Sequence, residues 1–379
     1  MKMIAAVMYE QGLPMPFAQS NPFLIEEVEL EGPGEGEVLV EIRGAGLCHS
    51  DLSVLEGHRK RPLPVVGGHE GAGIVRELGR GVTGLTPGDH VAIAAVAGCG
   101  KCRLCLNGRP GICQVVSGAR NEGMLATGHR RLRKLDGSRL NHYSGVSVYA
   151  QYAVVTPQAL VKIDDSVPMD VAALFGCAIV TGAGAVFNSA RVAPGESVAV
   201  LGLGGVGLTS VMAAREASAA TIIGIDVLPG KFDLAKACGA THCFDARDPE
   251  LVEKIKELTN GGVDHAFEVS GNLVAVDTAQ KITVRGGQVV GVGVGKTTAM
   301  FNVNHLSWVS EERVLRGSFM GGGIPQRDIP RYVDLFLKDR LPVDKLLSEQ
   351  LRFDQINEGF DKLAAGSVIR QVLLPHGNA

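Results

Sequence analysis

The tightest constraint on the fold lies between Ser197 and Asp226. An apolar segment, Ser197–Leu201, runs into Gly202-Leu203-Gly204-Gly205-Val206-Gly207, and a helical stretch follows to about Ala217. Thr221–Asp226 is then a second apolar segment ending in an acid. A G-x-G-x-x-G that closes a strand and opens a helix fits a pyrophosphate at the helix N-terminus, and an acid about 20 residues on fits ribose hydroxyls. By itself the glycine pattern is a weak signal, because a glycine turn also joins a strand to a helix without any ligand. Its context continues, however. Lys231–Cys238 and the stretch near Glu250–Thr259 read as helices, and His242–Phe244, His265–Val269 and Gln288–Val292 as strands. Strands alternating with helices predict parallel βαβ units. Asp226 would repel a 2'-phosphate, which favours NAD over NADP.

The first 180 residues follow another pattern. Glu37–Arg43 alternates apolar and charged residues as a half-buried strand does, and Gly73–Leu78 and His90–Ala94 are further strands separated by Gly and Pro turns. Beyond residue 322, helices at Ile329–Lys338 and near Asp354–Ala365 precede a strand at Ile369–Leu374, which is expected to return to the β-rich part. At 379 residues two domains are expected. A net charge of −3 argues against a general nucleic-acid binder. The uncharged runs Val171–Phe187 and Ser197–Ala214 approach membrane-span length but are broken by glycines, so they read as buried structure. No signal peptide is legible at the N-terminus, and eight cysteines without export predict free thiols or metal ligands in the cytoplasm.

Four of those cysteines, Cys99, Cys102, Cys105 and Cys113, form a C-x2-C-x2-C-x7-C run, a spacing able to close a tetrahedral shell around zinc. An iron–sulfur reading is weaker: in the bacterial ferredoxin pattern the fourth cysteine follows three residues later and precedes proline, whereas Cys113 precedes Gln114. Cys48, His69 and Cys177 are dispersed, and could form a two-thiolate, one-imidazole site with an open position. From spacing alone that is a weak reading, since a lone cysteine is more often a small core residue.

Taken in order, Cys48-His49-Ser50-Asp51, Gly68-His69-Glu70-Gly71-Ala72-Gly73, the four-cysteine lobe, Cys177, the glycine turn and Val368-Ile369-Arg370 resemble the zinc-dependent alcohol dehydrogenases of the medium-chain dehydrogenase/reductase superfamily, from about Ala5 to Leu374. The resemblance implies an α/β fold: a Rossmann doubly wound parallel sheet over residues 179–321, plus a β-rich GroES-like catalytic domain over 1–178 and 322–379 with a structural zinc lobe at 95–115. It implies NAD and two zinc ions per chain. Cys48, His69 and Cys177 match the catalytic zinc ligands, and Cys99, Cys102, Cys105 and Cys113 the structural ones. Ser50 matches the hydroxyl that starts the proton relay, Asp51 the carboxylate that orients the histidine ligand, and Glu70 the acid behind the zinc. For the cofactor, the matches are Gly202, Gly204, Gly205, Val206 and Gly207 at the phosphate turn and Asp226 and Lys231 at the adenosine ribose. His49 and Arg370 match pyrophosphate contacts, and Val292 and Phe319 the nicotinamide surroundings. The expected reaction is reversible hydride transfer between a small-molecule alcohol and NAD, with no nucleic-acid or membrane partner. Apart from the resemblance, Asp51 and Glu70 read as ordinary paired carboxylates and Lys231 as a solvated helix residue.

The chain departs from the family in places. Ser53 stands where many relatives carry a histidine as terminal relay base. Glutathione-dependent formaldehyde dehydrogenases, an alternative reading, place an acid where Arg59 stands and an arginine where Ser117 stands. A zinc-free quinone reductase or a non-catalytic nucleotide-binding protein is disfavoured by the intact Cys48, His69 and Cys177. Two basic runs, His58-Arg59-Lys60-Arg61 and Arg130–Lys134, read as solvated faces or as attractors of an anionic substrate. The long segment Gln114–Ser147 resembles dimeric members, and Gly286–Gly295 with Met300–Val303 is expected to supply the sheet edge of a homodimer.

Overall fold

A computed structural model describes residues 1–94 and 96–377. The chain divides into two compact units, one of 1–177, 324–337 and 343–379, the other of 178–323 and 338–342.

The first unit is built around the strand Val38–Gly46. This strand pairs antiparallel with Gly71–Leu78, Tyr152–Val155 and the C-terminal strand Arg370–Leu373. The sheet runs in the order Leu160–Lys162, His90–Ile93, Gly71–Leu78, Val38–Gly46, Arg370–Leu373, Leu347–Leu351. The tail therefore does return to the β-rich part, and it brings Leu347–Leu351 with it as a parallel neighbour that the sequence pattern did not single out. A closed five-stranded barrel adjoins this sheet within the unit: Lys2–Met8, Phe23–Leu30, Leu132–Lys134, Arg139–His142 and Val65–Val66. The long segment Gln114–Ser147 supplies two of its strands, so its length serves barrel closure. In its larger apolar cluster Phe23 stacks on Phe360, and Tyr149 meets both edge-on.

The second unit holds six parallel strands in the order His242–Asp245, Thr221–Asp226, Ser197–Leu201, Val263–Glu268, Thr283–Gly291, Val314–Gly317. Strand order reverses beside Ser197–Leu201, which is where open α/β sheets bind dinucleotides. The helix Gly205–Glu216 is buried on almost every side from Gly207 to Ala214, which explains its lack of a polar face. The expected sheet edge is corrected here: Val314–Gly317 pairs outside Thr283–Gly291 and forms the edge. Its short, partly polar sequence, Val-Leu-Arg-Gly, carries no strand alternation. Lys338–Pro342 belongs to this unit because Arg340 pairs with Glu216 and accepts from Arg215 through its carbonyl oxygen. Among the described residues, no single helix is long and apolar enough to cross a membrane; the run Val171–Phe187 breaks into short buried helices.

Candidate metal centres and cofactor turn

Cys48, His69, Glu70 and Cys177 converge in the first unit, with one donor atom from each lying within 4.8 Å of the others, all buried. Cys48 caps the helix His49–Leu55 from an extended backbone. His69 and Glu70 lead directly into Gly71–Leu78. Cys177 follows the 3-10 turn Leu174–Gly176, which packs so closely on His90–Ile93 that a Cβ at Gly176 would lie 1.9 Å from the Ile93 carbonyl oxygen. His69 Nε2 is 3.4 Å from Cys177 Sγ. A tetrahedral zinc with ordinary Zn–N and Zn–S bonds holds such a pair ~3.6 Å apart.

The opposite ring nitrogen, Nδ1, is 2.8 Å from Asp51 Oδ1. Asp51 is held in turn by Tyr149, whose Oη lies 2.9 Å from Oδ2 and 3.1 Å from the Gly46 carbonyl oxygen. This fixes the imidazole with Nε2 toward the donors. The charges fit a cation. The neighbouring Cys177 thiol, with Arg370 and His69, holds Cys48 well below the usual thiol range. Burial pushes the Glu70 carboxyl up to about 7 despite Arg370 nearby. Both Glu70 oxygens are buried without a hydrogen-bond partner, the situation a bound metal relieves. Glu70 Oε2 has an ionic neighbour in Arg370 at 3.5 Å, and Arg370 also donates to the Leu47 carbonyl at 3.2 Å. Arg370, expected at the pyrophosphate, is thus buried against Glu70 in this structure.

Cys99, Cys102, Cys105 and Cys113 form the second cluster. Their sulfurs are separated by 4.0 Å (Cys99–Cys105), 3.5 Å (Cys102–Cys105) and 3.7 Å (Cys102–Cys113). These distances are far too long for disulfides, and none of the eight cysteines is disulfide-bonded. Tetrahedral Zn–S bonds put sulfurs ~3.8 Å apart, so the cluster fits a closed four-thiolate zinc site.

Ser50 is half-buried in the first turn of His49–Leu55, and its carbonyl accepts from Tyr143 Oη at 3.4 Å; His49 is exposed. Ser53 Oγ donates to the His49 carbonyl at 2.9 Å, so the position of the missing terminal base is occupied by a hydroxyl turned back on its own helix.

In the second unit, Gly204 caps Gly205–Glu216 with no side-chain bond, which leaves first-turn N–H groups facing outward. Gly202 has φ +107°, and a Cβ at Gly207 would lie 1.8 Å from the Gly202 carbonyl oxygen, so both positions require glycine. Nothing lies within 4 Å of a Cβ at Gly204, and this open space beside the N–H groups fits a pyrophosphate. Asp226 has a structural task as well: its Oδ2 accepts from Leu203 N at 2.7 Å, tying the turn to the neighbouring strand, and Lys231 Nζ is 3.2 Å from the same oxygen. Val292 is buried, its N–H donating to the Glu268 carbonyl, whereas Phe319 is exposed. Tyr149 and Tyr143 are site residues that sequence reasoning missed. The Tyr143 ring centroid lies 5.9 Å from that of His69, with the two rings tilted by 44°.

Comparison with known proteins agrees with this geometry. Residues 34–165 match the alcohol dehydrogenase GroES-like domain family, and residues 205–338 the zinc-binding dehydrogenase family. The chain is 36% identical over 383 residues to an S-(hydroxymethyl)glutathione dehydrogenase of Paracoccus denitrificans, covering 99% of this chain and all of that one. Its structure is similar to that of an alcohol dehydrogenase zinc-binding domain protein from Burkholderia ambifaria (TM-score 0.93, 34% identity, 99% of both chains). It is also similar to benzyl alcohol dehydrogenase from Acinetobacter calcoaceticus (TM-score 0.92, 31% identity, 99% of both chains). With two thiolate clusters of zinc geometry and a parallel sheet carrying the glycine turn, the chain belongs to the zinc-dependent alcohol dehydrogenases of the medium-chain dehydrogenase/reductase superfamily.

Proposed function

We propose that this oxidoreductase interconverts a primary alcohol, aromatic or medium-chain, and its aldehyde, using NAD. The observation that carries the reading is the buried set of Cys48, His69 and Cys177 with an orphaned carboxylate, Glu70, beside them. Cys48, His69 and Cys177 would hold zinc, which would supply Lewis acidity toward the alcohol oxygen, and the glycine turn of the second unit would hold NAD, which would supply the hydride acceptor. The chain's own residues do the rest. Asp51, braced by Tyr149, keeps His69 oriented with Nε2 inward. Glu70 and Arg370 balance charge behind the thiols. Ser50 takes the hydroxyl proton, and with Ser53 committed to its helix the proton leaves to water or His49. Cys99, Cys102, Cys105 and Cys113 staple their loop and take no part in turnover, because a four-thiolate shell has no open position. In the second unit, Gly202, Gly204, Gly205, Val206 and Gly207 cradle the pyrophosphate, and Asp226 with Lys231 selects the unphosphorylated ribose. Val292 and Phe319 would border the nicotinamide.

A second reading, oxidation of S-(hydroxymethyl)glutathione, is favoured by the name of the Paracoccus relative. It is opposed by Arg59 and Ser117 at the expected glutathione-recognition positions.

The test is a metal count with initial rates. Two zinc ions per chain and NAD-linked oxidation of benzyl alcohol or a medium-chain alcohol, without glutathione, are expected. One zinc or none would sink the reading. Activity confined to formaldehyde plus glutathione would replace it with the second. A lower KM for NADP than for NAD would remove the role of Asp226.

We also propose a homodimer joined at the edge strand Val314–Gly317. Met300, Leu306, Trp308 and Val309 are exposed apolar side chains next to that strand in sequence, an unusual concentration for a solvated surface. Light scattering is expected to give twice the 39.8 kDa chain mass, and a monomer would remove the idea. Eight cysteines with no disulfide among them support a cytoplasmic location.

A further inference from the structure

The two basic runs meet different fates. In the barrel, Arg131 is neutralised by Glu31 and Glu37, Arg133 by Glu31, and Lys134 lies over the Tyr9 ring. The run His58–Arg61 behaves otherwise. His58 and Lys60 are exposed, while Arg59 and Arg61 turn inward and are half-buried. Gln11 clamps the loop in that posture, accepting from Arg61 N and donating to the Arg59 and Val54 carbonyls.

Of the two guanidiniums, that of Arg61 lies over Tyr143, and the charge of Arg59 also reaches that ring's hydroxyl. Arg61 Cζ is 5.9 Å from the Tyr143 ring centroid, and the same ring is 5.9 Å from that of His69. A third guanidinium joins them from the helix Gln114–Asn121. Arg120 packs its stem beside Gly145, in the loop that carries Tyr143, and donates to Ser117 Oγ at 3.3 Å. Arg120 is held below the ordinary arginine range by burial, then by the charges of Arg61 and Arg59, with Cys113 opposing. The charges of Arg59 and Arg61 therefore reach Arg120. Among the described residues, no carboxylate pairs with Arg59 or Arg61, and Arg61 Nε is buried without a hydrogen-bond partner. Guanidinium stays charged at any working pH, so this crowding is relieved by an anion rather than by deprotonation. The planar fork of arginine matches an oxyanion such as carboxylate or phosphate.

We propose that Arg59 and Arg61, backed by Arg120, bind an oxyanion on the substrate, so that the preferred alcohol is an acid as well. The assignment rests on the reading of the Cys48–His69–Cys177 site as an alcohol-oxidising centre. The Arg61 guanidinium and the His69 imidazole each lie 5.9 Å from the Tyr143 ring centroid, close enough for one small alcohol to reach the His69 site with its hydroxyl and Arg61 with an anion at its far end.

The zinc-loaded protein is assayed with NAD on three probes: benzyl alcohol, para-(hydroxymethyl)benzoate and para-(hydroxymethyl)phenyl phosphate. Calorimetry without cofactor measures binding of the same probes. A preference for the benzoate or the phosphate over benzyl alcohol in kcat/KM is expected, and the preferred probe identifies the oxyanion. The ratio of acid to neutral probe is expected to fall about tenfold or more in Arg61→Gln and in Arg59→Gln, the loss of a hydrogen bond to a charged group. Arg61→Lys should keep part of it. Because the readout is a ratio, a loss of folded protein cancels. Benzyl alcohol turnover with no preference for either acid, or a ratio unchanged in both Gln variants, overturns the anion site and leaves the alcohol dehydrogenase reading intact. Protein that turns over none of the probes but binds an acid through Arg61 sinks that reading and keeps the site.

Discussion

Asp51→Asn tests the architecture behind the candidate catalytic metal. In the parent, Asp51 Oδ1 accepts from His69 Nδ1 at 2.8 Å, and Oδ2 is 2.9 Å from Tyr149 Oη. Asparagine keeps the shape, removes the charge, and replaces one acceptor with a donor. If its oxygen faces His69, its NH2 meets the tyrosine hydroxyl; if reversed, it presents a donor to Nδ1–H. A hydrogen bond to a charged group contributes about 1.5–3 kcal/mol net, so zinc affinity at Cys48, His69 and Cys177 should fall ~10- to 150-fold. Tyr149→Phe removes only the brace and should cost less, about 1 kcal/mol or ~5-fold. The assay is zinc retained per chain against rising chelator. Cys99, Cys102, Cys105 and Cys113 form a separate cluster and act as the internal reference. One of two zinc ions should be released at lower chelator in Asp51→Asn, with the other unmoved. If both ions of the variant are released at the parent's chelator concentrations, Asp51 does not support the metal and the reasoning is wrong.

Two further perturbations follow from the same unit. A Cβ at Gly46 would sit 2.4 Å from Glu70 Oε1, so Gly46→Ala must displace that buried carboxylate; a loss of about 1–3 kcal/mol is expected, read as a lower urea midpoint together with weaker retention of one zinc. His142 is buried, its Nε2 accepts from Arg131 N at 3.0 Å, and burial with Arg130 and Arg131 depresses its pKa from 6.5 to about 3. Between those values the unfolded chain binds a proton that the folded chain refuses, so stability is full above pH ~6.5 and declines as pH falls toward 3, by about 2 kcal/mol at pH ~5. Urea unfolding of the parent and His142→Gln between pH ~7 and ~5 should show a steeper decline in the parent, and parallel declines would exclude His142 as a cause.

What the sequence disclosed, and what it hid, follows from range. The strands Ser197–Leu201 and Thr221–Asp226 were legible to the residue because an apolar run, a glycine turn and an acid lie within one short window. The four-cysteine cluster was legible for the same reason. Cys48, His69 and Cys177 are spread over 130 positions and were readable only through the order of motifs around them. Val314–Gly317 and Leu347–Leu351 are strands because a neighbour offers a free edge, and neither carries the alternation that would announce it. Tyr149 left no trace at all. It is 98 residues from Asp51, and an apolar neighbourhood with a buried tyrosine reads as core. The basic runs make the point most sharply. By composition His58–Arg61 and Arg130–Lys134 are equivalent, and charge patterning gives no reason to separate them. The fold separates them by what it brings alongside: glutamates for one, and for the other a tyrosine whose ring packs against a candidate metal ligand. A charge becomes a recognition element only through the partners folding denies it, and those partners are a property of the three-dimensional neighbourhood alone.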